Sequence, residues 1–312
     1  MKKILNSVIG VSMLLMTSCS NKEHFDVTGD SVTKIFVNTQ TSYINNLEFN
    51  VIHTPTGNMG DQVQVKIPVR ATEPVTSDVS VSLAIDNSLL KVDDRAVPTE
   101  WIDIEHTVLK IASGTTHSVD SLVVNIPDVS MLTEPSYLIP IRIKSISGSS
   151  NSEISSNLST IMVRIKTRST NVYNSPTSGG GTIVTNRAGW TATVDPEPTA
   201  GLANNMFTTS TSQHWTLSPA APCHIQVDMQ AQKTDMKGIQ LSSSNNYRLT
   251  NVETFTSNDG TSWTSQGTSS MVNANNQYIR FYAPVSARYI RIAVLGWQNN
   301  ANIRVSQYYI FQ

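Results

Sequence analysis

"DQVQVKIPVRA" (residues 61–71) sets Val63, Val65, Ile67 and Val69 in alternation with Gln62, Gln64, Lys66, Pro68 and Arg70. Successive side chains of a strand point to opposite faces, so this stretch reads as a half-buried β-strand. The pattern recurs upstream and downstream. "DVSVSLAID" offers Val79, Val81, Leu83 and Ile85, and "SLVVNIPD" offers Leu122, Val124 and Ile126. "YLIPIRIKS" adds Ile139, Ile141 and Ile143, and "TIMVRIKT" adds Ile161, Val163 and Ile165. Gly, Pro, Asn and Asp punctuate the gaps, and no segment holds a 3.6-residue period for three turns. An all-β chain beginning with an immunoglobulin-like antiparallel sandwich is the expectation.

Alternation resumes later in "HIQVDM", "KGIQL", "NVETFTS", "YIRFYAP", "ARYIRIAVLGW" and "NIRVSQYYIF". In the last, Ile303, Val305, Gln307, Tyr309 and Phe311 are expected on one face. Between the two sets lies "TRSTNVYNSPTSGGGTIVTN", whose three glycines, proline and hydroxyl residues read as a linker. The expected layout is a sandwich over residues 35–167, a linker over 168–186 and a second β domain over 187–312.

The N-terminus reads as an export signal over residues 1–18. Lys2 and Lys3 precede an apolar run from Ile4 to Met16, too short for a permanent membrane span, and Thr17, Ser18 and Cys19 follow. "LLMTSCS" resembles a bacterial lipobox, with Met16 where Leu is commoner. That resemblance implies that Cys19 becomes a lipidated N-terminus and places the protein on the outer membrane. The alternative is a plain secretory signal with a chance cysteine. "SNKEHFDVTGDSVTK" after it is polar and unpatterned and makes 19–34 a tether. Cys223 is then left alone, so no intramolecular disulfide is possible. It heads a strand, where His224 points to the opposite face, so a Cys–His nucleophile is disfavoured. With a formal net charge of -1, no bulk field favours nucleic acid.

Several marks in order give the second domain a resemblance. They are Trp190, "QHW" ending in Trp215, "IQVDMQ", Ser257-Asn258-Asp259-Gly260 with Trp263, the Ala-Arg-Tyr-Ile-Arg run at 287–291, and a closing strand. Residues 187–312 resemble a discoidin, or coagulation factor V/VIII type C, domain, the galactose-binding-like jelly roll shared with carbohydrate-binding module family 32. The resemblance implies that Asp259-Gly260 is a hairpin turn, that Trp215 and Trp263 are packed, and that Arg288 stands at a strand start. Many members hold a structural calcium through an Asp before the tryptophan and a Glu on the last strand. Those positions here are Thr208 and Gln307. Calcium favours carboxylate and carbonyl oxygens, so no metal and no other cofactor is expected, and both side chains are expected to bond within the turn.

"VQVKIPVRATEPVTSDVSVSLAIDNSLL", "LKIASGTTHSVDSLVVNIPDVSML" and "YLIPIRIKSISG" make the first domain similar to domain-of-unknown-function family 1735 of Bacteroidota lipoproteins. That family precedes sugar-binding or glycosidase modules on glycan-using bacteria, so components of a glycan-uptake complex are implied partners.

No catalytic constellation emerges. The six histidines lack metal spacing, and no G-x-S-x-G or phosphate loop is present. Asp103 and Glu105 in "WIDIEH" share one strand face rather than facing each other across a cleft. The chain is therefore expected to bind rather than to catalyse. By the resemblance, ligand loops gather at one end of the jelly roll, in "SSSNNYR", "VDPEPTAGLANN" and "LGWQNN". Trp297 would stack on a sugar while Asn245, Asn246, Tyr247, Arg248 and Asn299 bond its hydroxyls. Alternatively Trp297 plugs the barrel end. The partner class is a glycan, host or dietary; the rival is a non-glycan adhesin or structural lipoprotein that binds protein or lipid.

Overall fold

The computed structural model describes residues 32–38, 45–244, 246–298 and 302–312. Cys19, Asn245 and Asn299 lie outside the described residues. No helix among the described residues is long and apolar enough to cross a membrane.

The first domain contains β1 (Thr33–Val37), β2 (Asn46–Thr54), β3 (Gly57–Gly60), β4 (Gln64–Ala71), β5 (Val79–Ile85), β6 (Asp103–Glu105), β7 (Val108–Ile111), β8 (His117–Asn125), β9 (Ser136–Ser147), β10 (Ser152–Ile154) and β11 (Thr160–Ser169). Strands β10, β1, β4, β8 and β6 pair into one layer, and β7, β5, β9, β11, β2 and β3 into the other. The layers join where Ile111 meets Ser118. Most pairs are antiparallel, but β1 with β10 and β2 with β11 run parallel. The inward sets are those the alternation marks: Val63, Val65, Ile67, Val69, Val79, Val81, Leu83, Leu122, Val124, Ile139, Ile141, Ile143, Ile161, Val163 and Ile165 are all buried. Ile85 is half-buried at its strand end. Pro68 is tolerated because the β4–β8 register shifts beside it. Val69 N–H donates instead to the Ser118 Oγ at 3.0 Å.

The second domain contains β12 (Val172–Ser175), β13 (Thr191–Asp195), β14 (Trp215–Leu217), β15 (Cys223–Ser242), β16 (Leu249–Ser257), β17 (Thr264–Ser270), β18 (Asn276–Trp297), β19 (Ile303–Val305) and β20 (Gln307–Phe311). β15 and β18 run side by side for most of their lengths and serve both layers of the jelly roll. Three register shifts between Asp228 and Gly238 bend them. Bulges of this kind let one strand turn from one sheet into the next. Gln230 and Asp235 take positive φ there, 65° and 53°. The core is separate from that of the first domain and centres on Trp215, Ile225, Ile239, Ile290, Ile292 and Tyr308. Trp215 is fully buried, whereas Trp263 is half-buried under the Arg291 guanidinium, 3.9 Å from its ring centre. Arg288 stands within β18, not at its start, and pairs bidentately with Asp228 at 2.9 Å.

Two expectations are corrected. The segment 168–186 is not a free linker. β11 continues to Ser169, β12 pairs with β18, and Thr182 and Val184 bond to Gln312 and Ile310. The glycines serve conformation, not flexibility. Gly179, Gly180 and Gly181 all have positive φ, and a Cβ at Gly181 would lie 2.9 Å from Gln312 O. The carbonyls of Ser178, Gly179 and Gly180 curl around the Arg280 guanidinium, which donates to Gly180 O at 3.0 Å, to Gly179 O at 3.4 Å and to Ser178 O. The domain junction shrinks to Thr170 and Asn171. Thr170 N–H donates to His53 O at 2.9 Å in the first domain. Asn171 is bound in the second, its Nδ2 donating to Gln266 Oε1 at 2.8 Å and to Ala283 O at 3.0 Å, and its Oδ1 accepting from Ala283 N–H at 2.8 Å.

The closing strand also differs. Ile303 and Val305 face inward, but beyond them Tyr308 and Ile310 are buried at 0 % exposure while Gln307 and Tyr309 are half-buried. The chain changes partner at Ser306, from β14 to β15. Val305 and Ser306 are both buried in succession, which moves the inward set by one residue.

Candidate ligand site

Three segments meet at one end of the jelly roll: 243–244 with 246–248 between β15 and β16, 271–275 between β17 and β18, and Gln298 at the end of β18. Gln277, with no exposed surface, braces the first two. Its Nε2 donates to Leu249 O at 2.7 Å and Val272 O at 2.9 Å, and its Oε1 accepts from Leu249 N–H at 3.2 Å. A buried amide with its polar atoms satisfied is rigid. Ser243 N–H donates to Asn275 O at 2.8 Å, and Gln298 N–H to Arg248 O at 2.8 Å. Asn246 is exposed in a left-handed turn at φ 72°, a conformation asparagine tolerates.

Arg248 is oriented by two neighbours. Its Nε and Nη2 donate to Asn275 Oδ1 at 3.2 and 2.8 Å, and its Nη1 donates to Asn273 Oδ1 at 2.5 Å. The Arg304 guanidinium lies over the Tyr247 ring, 4.0 Å from its centre. Leu249 is in register with Trp297, which brings the backbone of β18 alongside this turn. Trp297 is half-buried and packs on the core. Of the expected residues, the structure brings together Tyr247, Arg248 and Trp297, with Asn246 in the same turn. The segment 194–205 bonds to Ala192, His214, Thr216 and Ser218 instead. Asn273, Asn275, Gln277 and Arg304 had no role in the sequence reading. The signal for the first two was the Asn-rich turn "VNANNQ", alike in composition to "SSSNNYR".

The calcium position does not fit a metal ion. Gln307 Nε2 donates to Thr209 O at 3.2 Å, and Thr208 Oγ1 donates to Asn205 O at 2.9 Å. A cation is already built in. Arg187, 7 % exposed, donates through Nη1 to Met206 O at 3.1 Å and Tyr308 O at 2.8 Å, and through Nη2 to Thr208 O at 3.5 Å. The guanidinium lies over the Tyr309 ring at 3.9 Å. It ties the turn before Trp215 to the last strand, the two places that a calcium ion bridges in the resembling domains.

Cys223 is buried, and burial together with the charge of Asp195 pushes its thiol up to about 12. His224 is exposed on the other face. Asp103 and Glu105 are both exposed on β6. No group of three or more His, Cys, Asp or Glu among the described residues is placed to hold a metal.

Residues 189–306 match the family model of the F5/8 type C domain. The C-terminal domain is an F5/8 type C domain. Residues 30–150 match a second model, described as an N-terminal domain. The whole two-domain layout is similar to a two-domain protein of unknown function from Bacteroides fragilis, at 16% identity and a TM-score of 0.56, covering 90% of this chain and 95% of that one. The F5/8 type C domain is also similar to a family 32 carbohydrate-binding module of NanJ from C. perfringens, solved in complex with galactose. That match has 18% identity and a TM-score of 0.36, and covers 39% of this chain and 93% of that one. No curated protein matches the chain.

Proposed function

We propose that this is a lipid-anchored, non-catalytic carbohydrate-binding protein of the bacterial outer-membrane surface, serving glycan capture. The observation that carries the reading is the polar cluster of Arg248, Asn273 and Asn275, held together by hydrogen bonds at the same end of the domain as the half-buried Trp297. A sugar offers hydroxyls to a held cluster of amide and guanidinium groups and a C–H face to an aromatic ring, and sites of this kind join an apolar surface to a few placed polar groups. Asn246, and by sequence position Asn245 and Asn299, would add hydroxyl contacts. Asp103 and Glu105, side by side on one exposed strand, do not form the opposed pair that glycoside hydrolysis needs.

A glycan array probed with the soluble chain is expected to return a discrete set of sugars. Trp297→Ala should weaken binding to them by about 1–3 kcal/mol, with far-UV circular dichroism preserved, and Arg248→Lys should also weaken it because the fork is lost. An array with no ligand, or a folded Trp297→Ala protein that binds as well as wild type, would overturn the reading.

Anchoring rests on Cys19 as the acceptor of the lipid. Cys19→Ser should leave unprocessed precursor and take up no fatty-acid analogue in metabolic labelling. Equal label in mutant and wild type would refute the anchor.

A further inference from the structure

Ile161, Val163 and Ile165 of β11 point into the core, so Arg164, Lys166 and Arg168 stand on its outer face. Outward residues of a strand are about 6.7 Å apart. The three cations therefore form a row about 13 Å long. β2 lies parallel on one side, with Glu48, Asn50 and Ile52 in register with them, and β9 lies on the other, with Ser136 in register with Lys166. Together with Pro135, these strands shape a groove of about 650 Å³.

The charge in this groove is unbalanced. Lys166 pairs with Glu48 at 2.8 Å, with both side chains about half exposed. A pair so exposed is weak and readily exchanged. Arg164 donates only to a neutral acceptor, the Ser136 Oγ at 3.3 Å. Arg168 is exposed and makes no side-chain hydrogen bond or ion pair with another described residue. Among the described residues of the groove and those in register with it, one carboxylate, Glu48, thus stands against three cations, and Glu134 beside Pro135 is already paired with Arg95 at 2.8 Å, in a chain whose formal net charge is -1. Ile52 and Pro135 supply apolar surface beside the guanidinium groups.

We propose that this groove is a second binding site, for an acidic polysaccharide that carries carboxylate or sulfate groups along its length. A row of cations matches charge repeated along a chain, where a single small anion would call for converging donors. Arginine forks match carboxylate and sulfate oxygens, and the apolar residues suit the C–H faces of pyranose rings. Nucleic acid fits less well, because no aromatic side chain lines the groove for base stacking. The site is independent of the Trp297 cluster and stands on its own residues.

Affinity electrophoresis and calorimetry of the full soluble chain with polygalacturonate, with heparin, with neutral galactan and with single-stranded DNA test it. One of the two acidic polysaccharides is expected to bind, with affinity falling steeply as salt is raised from about 0.05 to 0.5 M. The Arg164→Gln/Arg168→Gln protein should bind that probe at least about ten-fold more weakly, while Trp297→Ala binds it like wild type. Both arginines are outward-facing and glutamine stays polar while keeping the first methylenes of the side chain, so circular dichroism should be unchanged. Four results would each overturn the proposal: no binding of either acidic probe, unchanged binding by the double variant, loss of binding in Trp297→Ala alone, or equal binding of DNA.

Discussion

Arg187→Met is expected to destabilise the F5/8 type C domain by on the order of 3–5 kcal/mol, the sum for two or three buried acceptors that each lose about 1–3 kcal/mol when left unpaired. The methionine fills the same volume but leaves the carbonyls of Met206, Thr208 and Tyr308 without their shared donor. A buried acceptor stripped of its partner keeps its full desolvation cost. The Arg187 Nε has no partner of its own, so the site relies on the two Nη groups and on stacking over Tyr309. For a domain of this size the change corresponds to a fall in Tm of about 10–15 °C. Tryptophan fluorescence reports it well, since Trp190, Trp215, Trp263 and Trp297 all lie in this domain and only Trp101 lies in the other. Arg187→Lys should fall between the two, keeping the charge but not the fork. The same reasoning predicts that EDTA leaves the wild-type Tm unchanged. A drop in EDTA that calcium reverses, or an Arg187→Met protein that melts within about 2 °C of wild type, a shift of less than about 1 kcal/mol, would remove the guanidinium from this role.

Cys223 should react with iodoacetamide at pH 8 about a thousand times more slowly in the folded protein than in guanidinium. The thiolate is the reactive form. An ordinary thiol with a pKa of about 8.5 is roughly one-quarter ionised at pH 8. With the thiol held up to about 12 by burial, the folded protein has only about one part in ten thousand as thiolate. A chain that begins after Cys19 leaves Cys223 as the single thiol for this measurement, and comparable rates in the two states would show that Cys223 is accessible. The same shift carries a sign for stability. Below about pH 8.5 both states hold the proton. Between there and about 12 the unfolded chain releases it and the folded one does not, so stability falls by about 1.4 kcal/mol per pH unit across that window. It is complete on the acid side and lost on the alkaline side.

The two-residue junction bears on how the domains work together. Thr170 is tied to the first domain and Asn171 to the second by hydrogen bonds that use its whole amide.

Much of this architecture is legible in short stretches. The inward sets of β4, β5, β8, β9 and β11 follow from alternation within five to ten residues, because burying one face of a strand imposes a period of two wherever the strand lies. The Asp259-Gly260 turn is equally local: Asp259 Oδ1 accepts from Thr261 and Ser262 N–H at 2.7 Å, which holds its carboxyl well below the usual range. The triple glycine shows where local reading stops. Composition is the same for a flexible linker and for a backbone forced into positive φ, and only the arrival of Arg280, about a hundred residues on, separates them. The last strand shows it again, since a change of partner at Ser306 shifts its buried face without any mark in the pattern. The ligand cluster and the Arg187 site belong to the same class. Arg248 is aimed by residues 25 and 27 positions away, and Arg187 finds carbonyls 19 and 121 positions away. Periodicity reports whether a side chain faces inward or outward, but which distant group it meets there depends on how the sheets close on each other, and that is a property of the assembled barrel alone.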